Sequence, residues 1–352
     1  MPTPRSRLVF LLAAALVLLT FLHLRQRSRA SPSIAVLTPQ DHAGNRTLGF
    51  QQIFALSQRP SWRTRGLKAA ANLTGIEIKI PPQPPLDDRL AEAFASTIQG
   101  DDDDDWLETQ QHPSPGASRA WLAHLDLLKH VYQSEIATAL IMEDDVDWDI
   151  ALRRQMMNVS AAVRNLTRAL ETETEMDASA SAPYGMQWDV LWLGHCGEQW
   201  ASSIETVVFA DLHVVSHADY RGFWPDQVAL LPEFQRAVYW SRSPVCTFAY
   251  AVTHEGARKI LGSLGMGVGE AFDVELQQQC QGGRLACVSV VPELFRQYFP
   301  PAQFDVKSDV DVGNGKGQGE GASEEVFEAV MGSTENILHS ARCRALWGSD
   351  CN

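Results

Sequence analysis

Residues 137–149 have the sequence ATALIMEDDVDWD. Six apolar or small residues run directly into a segment that carries five carboxylates within seven positions, 143–149. A short continuous apolar run is typical of a strand buried on both faces, as in α/β proteins. In open α/β sheets, ligands bind at the carboxyl ends of the strands. The segment therefore predicts a buried strand that delivers acidic side chains to a ligand-binding edge.

The segments around this strand alternate between strand and helix patterns, which favours α/β architecture. An Ala-rich helix is predicted after residue 65. Further strands are predicted over 51–56, 75–80, 188–193, 245–252 and 285–291, and helices over 118–133, 156–170 and 255–264.

Length and charge limit the classes of function. The chain has 352 residues, 45% of them hydrophobic, which is enough for a substantial core. Its net charge of -14 argues against a nucleic-acid binder, which needs a basic face to neutralise phosphates. An acidic protein can still bind a nucleotide phosphate when a divalent cation supplies the positive charge.

The N-terminal segment predicts a membrane anchor. Residues 8–24 are almost wholly apolar and are flanked by arginines on both sides, and their length is close to the minimum for a spanning helix. The alternative is a cleaved signal peptide. We predict a cytoplasmic tail over 1–7, a signal-anchor over 8–24, a stem over 25–49 and a luminal domain over 50–352. These segments together predict a single-pass type II protein of the Golgi or ER membrane.

Cysteines and glycosylation sequons agree with a luminal location. All six cysteines follow the anchor, and their even number suggests disulfides. Sequence does not choose among the pairings, so Cys280 with Cys287 and Cys343 with Cys351 are local guesses. A zinc site is disfavoured because no C-x-x-C pair occurs. Asn-x-Ser/Thr sequons, which predict a glycoprotein, start at Asn45, Asn72, Asn158 and Asn165.

The acidic run suits a hard divalent cation such as Mg²⁺, which prefers oxygen ligands and often binds together with substrate phosphates. If the strand continues, Glu143, Asp145 and Asp147 share one face, because side chains alternate along a strand. We predict these three as metal ligands, Asp145 as the principal one, and place Asp144 on the other face, towards the donor. The alternative is a solvated acidic loop.

Two further groups are candidates for the same site. Asp273 and Glu275 form a second acidic pair, and either can serve as the general base that transfer to a hydroxyl requires. Their alternative role is to complement a helix dipole. Arg59, Arg63 and Arg65 follow the first strand and can clamp a diphosphate, or they can be solvated arginines at a helix start.

Other polar segments are predicted to lie outside the chemistry. The aspartate run 101–105 reads as a solvated loop, since adjacent like charges repel. His124 reads as a packed or surface residue. Segments 81–117, 171–186 and 305–323 are predicted loop insertions, the last of them flexible. Long loops over 81–117 and 195–240 are expected to shape the substrate pocket.

These motifs together resemble glycosyltransferase family 25, which includes bacterial lipooligosaccharide and collagen galactosyltransferases. The resemblance spans most of residues 50–300. Its most specific element is the Glu143-Asp144-Asp145 signature after the apolar strand. Similar elements are the opening strand and arginine-containing loop, the strand ending at Leu193-Gly194, the Tyr250 strand with its Gly-Ala helix, and Asp273. Of the family's Gly-Cys-x-x-Ser-His motif, only the histidine, His124, remains here.

The resemblance implies a GT-A-like Rossmann-type fold, a UDP-sugar donor, often UDP-galactose, Mn²⁺ or Mg²⁺, and inversion at the anomeric carbon. The expected function is a metal-dependent hexosyl transfer to a hydroxyl of a glycan or glycoprotein, with Asp145 and Asp273 as catalytic residues. The departure in the histidine motif leaves open a catalytically inactive luminal protein that binds a nucleotide sugar or a glycan. A metal-dependent hydrolase on the same acidic cluster is a third alternative.

Overall fold

The helices and strands follow from a computed structural model, which describes residues 38–85, 88–96, 112–170, 181–199, 203–317 and 323–351. In chain order they are α1 (Pro39–Ala43), β1 (Gln52–Leu56), α2 (Trp62–Thr74), α3 (Asp88–Ser96), α4 (Pro115–Gln133), β2 (Thr138–Glu143), β3 (Val146–Trp148), α5 (Leu152–Thr167), β4 (Val190–Gly194), β5 (Thr206–Ala210), α6 (Pro225–Val228), β6 (Gln235–Trp240), β7 (Ala249–Thr253), α7 (His254–Leu264), α8 (Phe272–Gln281), β8 (Cys287–Val291), β9 (Phe295–Phe299), α9 (Asp309–Gly313), α10 (Glu324–Ala329), β10 (Ser333–Thr334) and α11 (Ala341–Trp347). Short 3-10 helices cover Arg168–Leu170 and Ala302–Phe304.

Seven strands form one mixed sheet in the order β1-β2-β7-β4-β8-β6-β5. The pairs β1–β2 and β4–β8 are parallel, whereas β7 runs antiparallel between β2 and β4. β6 and β5 extend the far edge as antiparallel strands. The predicted Rossmann-type mixed sheet flanked by helices is confirmed.

Both faces of this sheet are covered, as alternation along β2 shows. Leu140 and Met142 point into an apolar cluster that includes side chains of α1, α2 and α5. Ala139 and Ile141 point into a second cluster, filled from α4, α7 and α8. Because successive side chains of a strand face opposite sides, a strand buried on both faces must be apolar throughout. This requirement explains the uninterrupted apolar run in the sequence.

A smaller sheet lies at the end of β2. It has three antiparallel strands in the order β10-β9-β3, so β3 leaves the main sheet although it follows β2 after only two residues. Trp62 at the start of α2 packs there against Tyr298 of β9, Phe327 of α10 and the Cys343–Cys351 disulfide. The C-terminal part of the chain is thereby joined to the first βα unit.

Two predicted boundaries are wrong. Residues 75–80 do not form a full strand: a single parallel bridge joins Lys79 to Phe54 of β1. Pro81 and Pro82 follow at once, and proline lacks the N–H that a longer ladder would need. Residues 38–49, assigned to the stem, belong to the same unit as the domain, since Ala43 and Leu48 are buried in its core.

The disulfides are Cys196–Cys246, Cys280–Cys287 and Cys343–Cys351. The two local pairings guessed from the sequence are therefore confirmed.

No helix within the described ranges is both long and apolar enough to cross a membrane. The predicted tail 1–7, the anchor 8–24, the aspartate run 101–105 and residues 171–180 of the second insertion lie outside the described residues.

Candidate active site

A cavity of about 430 Å³ opens where β1 and β2 end. Glu143, Asp144 and Asp145 line it together with Arg59 and Arg63. This is the carboxyl edge of the parallel pair, where ligand sites of α/β sheets occur. The volume lies within the range of about 300–1,000 Å³ that is usual for small-molecule sites.

The two carboxylate oxygens of Asp145 differ in their hydrogen bonding. Its Oδ2 accepts a hydrogen bond from Gln297 Nε2 at 2.9 Å and forms an ion pair with Arg63 Nη1. Its Oδ1 is buried and has no hydrogen-bond partner among the residues that the structure describes. Buried carboxylate oxygens are normally satisfied, so an orphan oxygen at a cavity indicates an absent ligand atom, water or ion.

The carboxylates of Glu143, Asp144 and Asp145 repel one another, and they are largely shielded from solvent. Burial, with the charges of Asp145 and Asp273 next, raises the pKa of Glu143 to about 8. Burial and the charge of Asp145 raise the pKa of Asp144 to about 7. Burial disfavours the charge on Arg63, but the carboxylates around it, Asp145 foremost, raise its pKa above the ordinary value. The site as a whole therefore favours added positive charge.

His124 of α4 lines the cavity as a neutral base rather than a solvated side chain. Its ring stacks on Phe272 with centroids 4.4 Å apart, and its Nδ1 lies 3.0 Å from the Tyr250 hydroxyl. Burial lowers the pKa of His124 to about 3. Thr247 lies between His124 and Glu143, with its hydroxyl 3.4 Å from His124 Nε2 and 3.4 Å from Glu143 Oε1. Of the packed or surface role predicted for this histidine, the packed role is confirmed. His124 is in addition a lining residue of the cavity.

The prediction that Asp147 belongs to the ligand set is wrong. β2 ends at Glu143, the next two residues form a turn, and β3 belongs to the small sheet, so the alternation does not continue. Oδ1 of Asp147 accepts from the backbone N–H of Trp148 at 2.8 Å and of Arg342 at 2.9 Å. Its Oδ2 accepts from the hydroxyls of Thr334 and Ser340. The carboxylate is fully used in holding the C-terminal segment.

The turn also changes the predicted role of Asp144. Asp144 and Asp145 both line the cavity, instead of lying on opposite faces.

Asp273 and Glu275, predicted as a second acidic pair, lie in different surroundings. Asp273, in the first turn of α8, accepts a hydrogen bond from Cys246 N at 2.8 Å and does not line the cavity. Its charge still reaches Glu143, whose pKa it raises. Glu275 contacts the loop before α8, next to Gly269. The structure therefore brings Asp273, but not Glu275, close to the acidic cluster.

The three arginines predicted to bind a diphosphate also lie in different surroundings. Arg59 is exposed and lines the cavity, and Arg63 is partly buried at its wall. Arg65 forms ion pairs with Glu324, at 2.8 Å, and Glu328, both on α10. Residues two apart on a helix point in different directions, so Arg63 and Arg65 cannot serve one ligand together. Placing Arg65 in the diphosphate clamp is wrong.

A wall of the cavity comes from a segment that we predicted to be a flexible insertion. Residues 306–313, including α9, line it, as do Glu324 and Phe327 of α10. Ser308 is the N-cap of α9, and its hydroxyl accepts a hydrogen bond from Asp311 N at 3.0 Å. α9 lies so close to α4 that a Cβ on Gly116 would clash with the carbonyl oxygen of Val310. The Ser-x-x-Asp capping pattern was the signal available in the sequence.

The two loops expected to shape the pocket differ in outcome. Gln83 and Gly116 of segment 81–117 line the cavity, whereas no described residue of 195–240 does.

The donor types of this site suit a divalent cation. Glu143, Asp144 and Asp145 offer only oxygens, the ligands that Mg²⁺ and Mn²⁺ prefer, and Asp145 Oδ1 has no partner among the described residues. The ligand oxygens of these three acids do not all lie within 4.8 Å of one another. Among the described residues, the one group of three potential ligands within 4.8 Å of one another is Asp147 with Cys343 and Cys351. Those cysteines form a disulfide, so they offer no thiolate to a metal.

No family model matches the chain, and no similar sequence is found among curated proteins.

Proposed function

We propose that this protein is a metal-dependent glycosyltransferase that moves a sugar from a nucleoside-diphosphate sugar to a hydroxyl of a glycan or glycoprotein. The observation that carries the proposal is the buried, unpartnered Oδ1 of Asp145 at the carboxyl edge of β2, next to two further acids and two arginines. The resemblance of the sequence to glycosyltransferase family 25 supports a UDP-sugar, with galactose as the first candidate. It also supports inversion at the anomeric carbon.

Asp145, Asp144 and Glu143 would hold Mn²⁺ or Mg²⁺. A bound divalent cation offsets the charge that develops on the leaving diphosphate. Asp147, which is committed to the C-terminal segment, is no part of this set.

The arginines have separate tasks in this proposal. Arg59 is exposed at the cavity and can bind the diphosphate. Arg63 holds Asp145 in place through their ion pair and keeps positive charge beside the cluster.

His124 lines the cavity and can position the sugar. Thr247 and Tyr250 do not line the cavity; they contact His124 from the protein interior, and Thr247 also contacts Glu143. A neutral imidazole can donate or accept a hydrogen bond to a sugar hydroxyl without adding charge.

Asp273 acts in this scheme as a positioning residue. Its carboxylate fixes Cys246 N, and thereby the segment that places Thr247 against Glu143.

The test is a donor screen on the purified protein, with and without Mn²⁺, that measures released nucleoside diphosphate and transferred sugar. Asp145→Asn should reduce transfer by about a hundredfold or more, since it removes the charge that holds the cation. The variant should still fold, with a lower thermal unfolding temperature, because Arg63 loses its ion-pair partner. Glu275→Gln is the matched control, because Glu275 lies outside the cavity, and it should retain activity.

Full transfer by Asp145→Asn would contradict the proposal. Nucleotide binding to the wild-type protein without any transfer would favour the alternative of an inactive binding protein. Release of free sugar at a rate unaffected by acceptor would favour the hydrolase.

A further inference from the structure

The asparagines of this chain fall into two groups. Four of the seven start Asn-x-Ser/Thr sequons, and the structure places the side chain of each of these four at the exposed surface: Asn45, Asn72, Asn158 and Asn165. The two other described asparagines are engaged in the fold. Asn314 accepts a hydrogen bond from Gly116 N at 2.7 Å, and Asn336 is 7% exposed and bonded to Glu293 and Arg221.

Asn45 lies in a turn just after α1. Its Oδ1 accepts from Thr47 N at 2.8 Å, from the Thr47 hydroxyl at 3.1 Å and from Gly49 N at 3.0 Å. All three bonds use the carbonyl oxygen, so Nδ2, the atom to which an N-glycan attaches, takes no part in the turn.

The sequon of Asn72 lies next to that turn. Asn72 is in the last turn of α2, which Gly75 ends, and Glu77 N donates to Arg46 O at 2.8 Å. Arg153 of α5 connects the two places, because its Nε donates to Gly44 O at 2.7 Å and its guanidinium lies against Gly75.

Asn158 and Asn165 are on α5, seven residues apart, and therefore on the same face of that helix. The hydroxyl residues at the third position of these sequons, Ser160 and Thr167, are buried. They donate hydrogen bonds to the backbone carbonyls of Pro183 and Val163, respectively. The helix thus directs the hydroxyls inward and the asparagines outward.

The sequons of Asn45 and Asn72 lie away from the candidate active site. The cavity is at the first turn of α2, and Asn72 is nine residues after Arg63, about 14 Å along the helix. Asn45 precedes β1, whose far end carries the cavity, about 17 Å along the strand. Large substituents on these two asparagines would leave the cavity open.

A groove lies among three of the sequons. Gly44, Leu73, Thr74 and Met157, which line it, are direct or second neighbours of Asn45, Asn72 and Asn158. Two large apolar side chains at this groove are exposed to solvent, Leu73 at 51% and Ile150 at 37%. Glycans on the three asparagines would cover them.

We propose that the α1–α2–α5 face is an N-glycosylated face whose glycans shield this apolar groove. The inference rests on the luminal location that accompanies the proposed function. In the modification, Nδ2 of each asparagine forms a bond to the anomeric carbon of a lipid-diphosphate-linked oligosaccharide. The bond between that carbon and the diphosphate oxygen breaks, the lipid diphosphate leaves, and Nδ2 gives up one proton.

The experiment expresses the full chain in a eukaryotic cell line and isolates it from the membrane fraction after a protease-protection assay. Peptide N-glycosidase in ¹⁸O-water converts each glycan-bearing asparagine to a labelled aspartate, which mass spectrometry locates. We expect conversion at two or three of the groove asparagines, Asn45, Asn72 and Asn158, and none at Asn314 or Asn336. Conversion at fewer than two groove sites in a protease-protected chain overturns the inference.

Two further measurements separate this inference from the proposed function. A chain found in the cytosol would overturn both the inference and the predicted compartment, whereas a luminal chain without glycans would overturn the inference alone. Nucleotide binding, measured by calorimetry on the same protein, tests the proposed function independently of the glycans.

The shielding is tested with asparagine-to-glutamine variants. The combined Asn45→Gln, Asn72→Gln, Asn158→Gln variant should bind severalfold more of a fluorescent hydrophobic dye than the wild type. The matched control is Asn165→Gln, which lies two turns beyond the groove and should bind dye as the wild type does. Equal dye binding by the combined variant and the control would contradict shielding.

Discussion

Arg63 and Asp145 form a buried ion pair at the wall of the cavity, with 11% and 4% of their side chains exposed. The pair joins the first turn of α2 to the turn after β2, over 82 residues of sequence. Asp145 is also the proposed principal metal ligand. Arg63 and the cation therefore share one carboxylate, and the strength of one interaction must depend on the other.

Replacing Arg63 by Met should weaken the fold and strengthen metal binding. A buried carboxylate that loses its partner destabilises a protein by about 3 kcal/mol. Without Arg63, Asp145 is free for Mn²⁺, so we expect Mn²⁺ to bind about tenfold more tightly and to restore part of the lost stability. Calorimetric titration with Mn²⁺ alone, together with urea unfolding, measures both effects.

The control for this variant is Arg65→Met. Arg65 and its partners Glu324 and Glu328 are exposed, and such pairs contribute about 0–1 kcal/mol. Unchanged Mn²⁺ affinity in Arg63→Met would show that the ion pair does not compete with the cation.

Gly116→Ala should displace the α9 wall of the cavity. The new Cβ would meet the carbonyl oxygen of Val310, and overpacking of this kind costs about 1–3 kcal/mol. We expect a lower unfolding temperature and at least about tenfold weaker nucleotide binding by calorimetry, since α9 lines the cavity.

Gly262→Ala is the matched substitution, because Gly262 lies within α7 and a Cβ there meets nothing within 4 Å. Alanine is favoured over glycine inside a helix by about 1 kcal/mol, so this variant should be more stable and bind nucleotide normally. Equal nucleotide affinity of the two alanine variants would exclude a role of α9 in the site.

Two substitutions at Asp273 distinguish a general base from a positioning residue. Asn keeps an oxygen that can accept from Cys246 N, whereas Ala does not. A positioning role predicts near-normal kcat for Asp273→Asn and a loss of about tenfold or more for Asp273→Ala, equivalent to about 1.4 kcal/mol. A base would lose activity with either substitution, because neither accepts a proton.

Glu198 should make stability depend on pH. Its Oε1 accepts from Arg242 N at 2.5 Å and Ser243 N at 3.3 Å, while Oε2 is buried and has no partner of hydrogen-bonding geometry in the described part of the chain. Burial raises the pKa of Glu198 to about 7, from 4.5. Interactions with Ser289 and Tyr239 partly offset the effect of burial. The folded state therefore holds a proton that the unfolded state releases between these values, and this contribution to stability is full below pH 4.5 and lost as pH rises through about 7.

The size of the effect is about 3 kcal/mol at most, from a rise of about two and a half pKa units. Glu198→Gln lacks this titration, so the difference in free energy of unfolding between the variant and the wild type should increase from pH 5 to pH 8. Urea unfolding at the two pH values measures it. A constant difference would show that Glu198 ionises normally in the folded protein.

The elements predictable from the sequence were those with a strong local pattern. β2 and α4 are long and periodic, and the structure places them within three residues of the predicted bounds. β5 and β6, which lie in a region taken as loop, were missed. β5 is an edge strand with no buried side chain, so it lacks the apolar pattern that identifies a central strand.

The candidate site was predictable only in part, for a related reason. Glu143 is the last residue of β2 and Asp145 lies in the turn directly after it, so both positions follow from the predicted strand. The turn at Asp144 and Asp145, which sends Asp147 into another sheet, depends on pairing with β9, about 150 residues later. The contribution of α9 likewise depends on a contact with Gly116 that is distant in sequence. Local patterns carry no information about either pairing.

Arg342 of α11 has a consequence for the timing of biosynthesis. Its guanidinium donates to Trp62 O at 3.1 Å and Arg63 O at 3.0 Å, and its backbone N–H holds Asp147. Arg342 is made 279 residues after Arg63, roughly 15–60 s later at ordinary rates of translation. During that interval the ribosome-bound chain contains β2 and the acids 143–145, but it lacks Arg342 and its hydrogen bonds to Trp62 O and Arg63 O. A nascent chain of this protein should therefore be unable to bind the proposed donor until α11 has emerged.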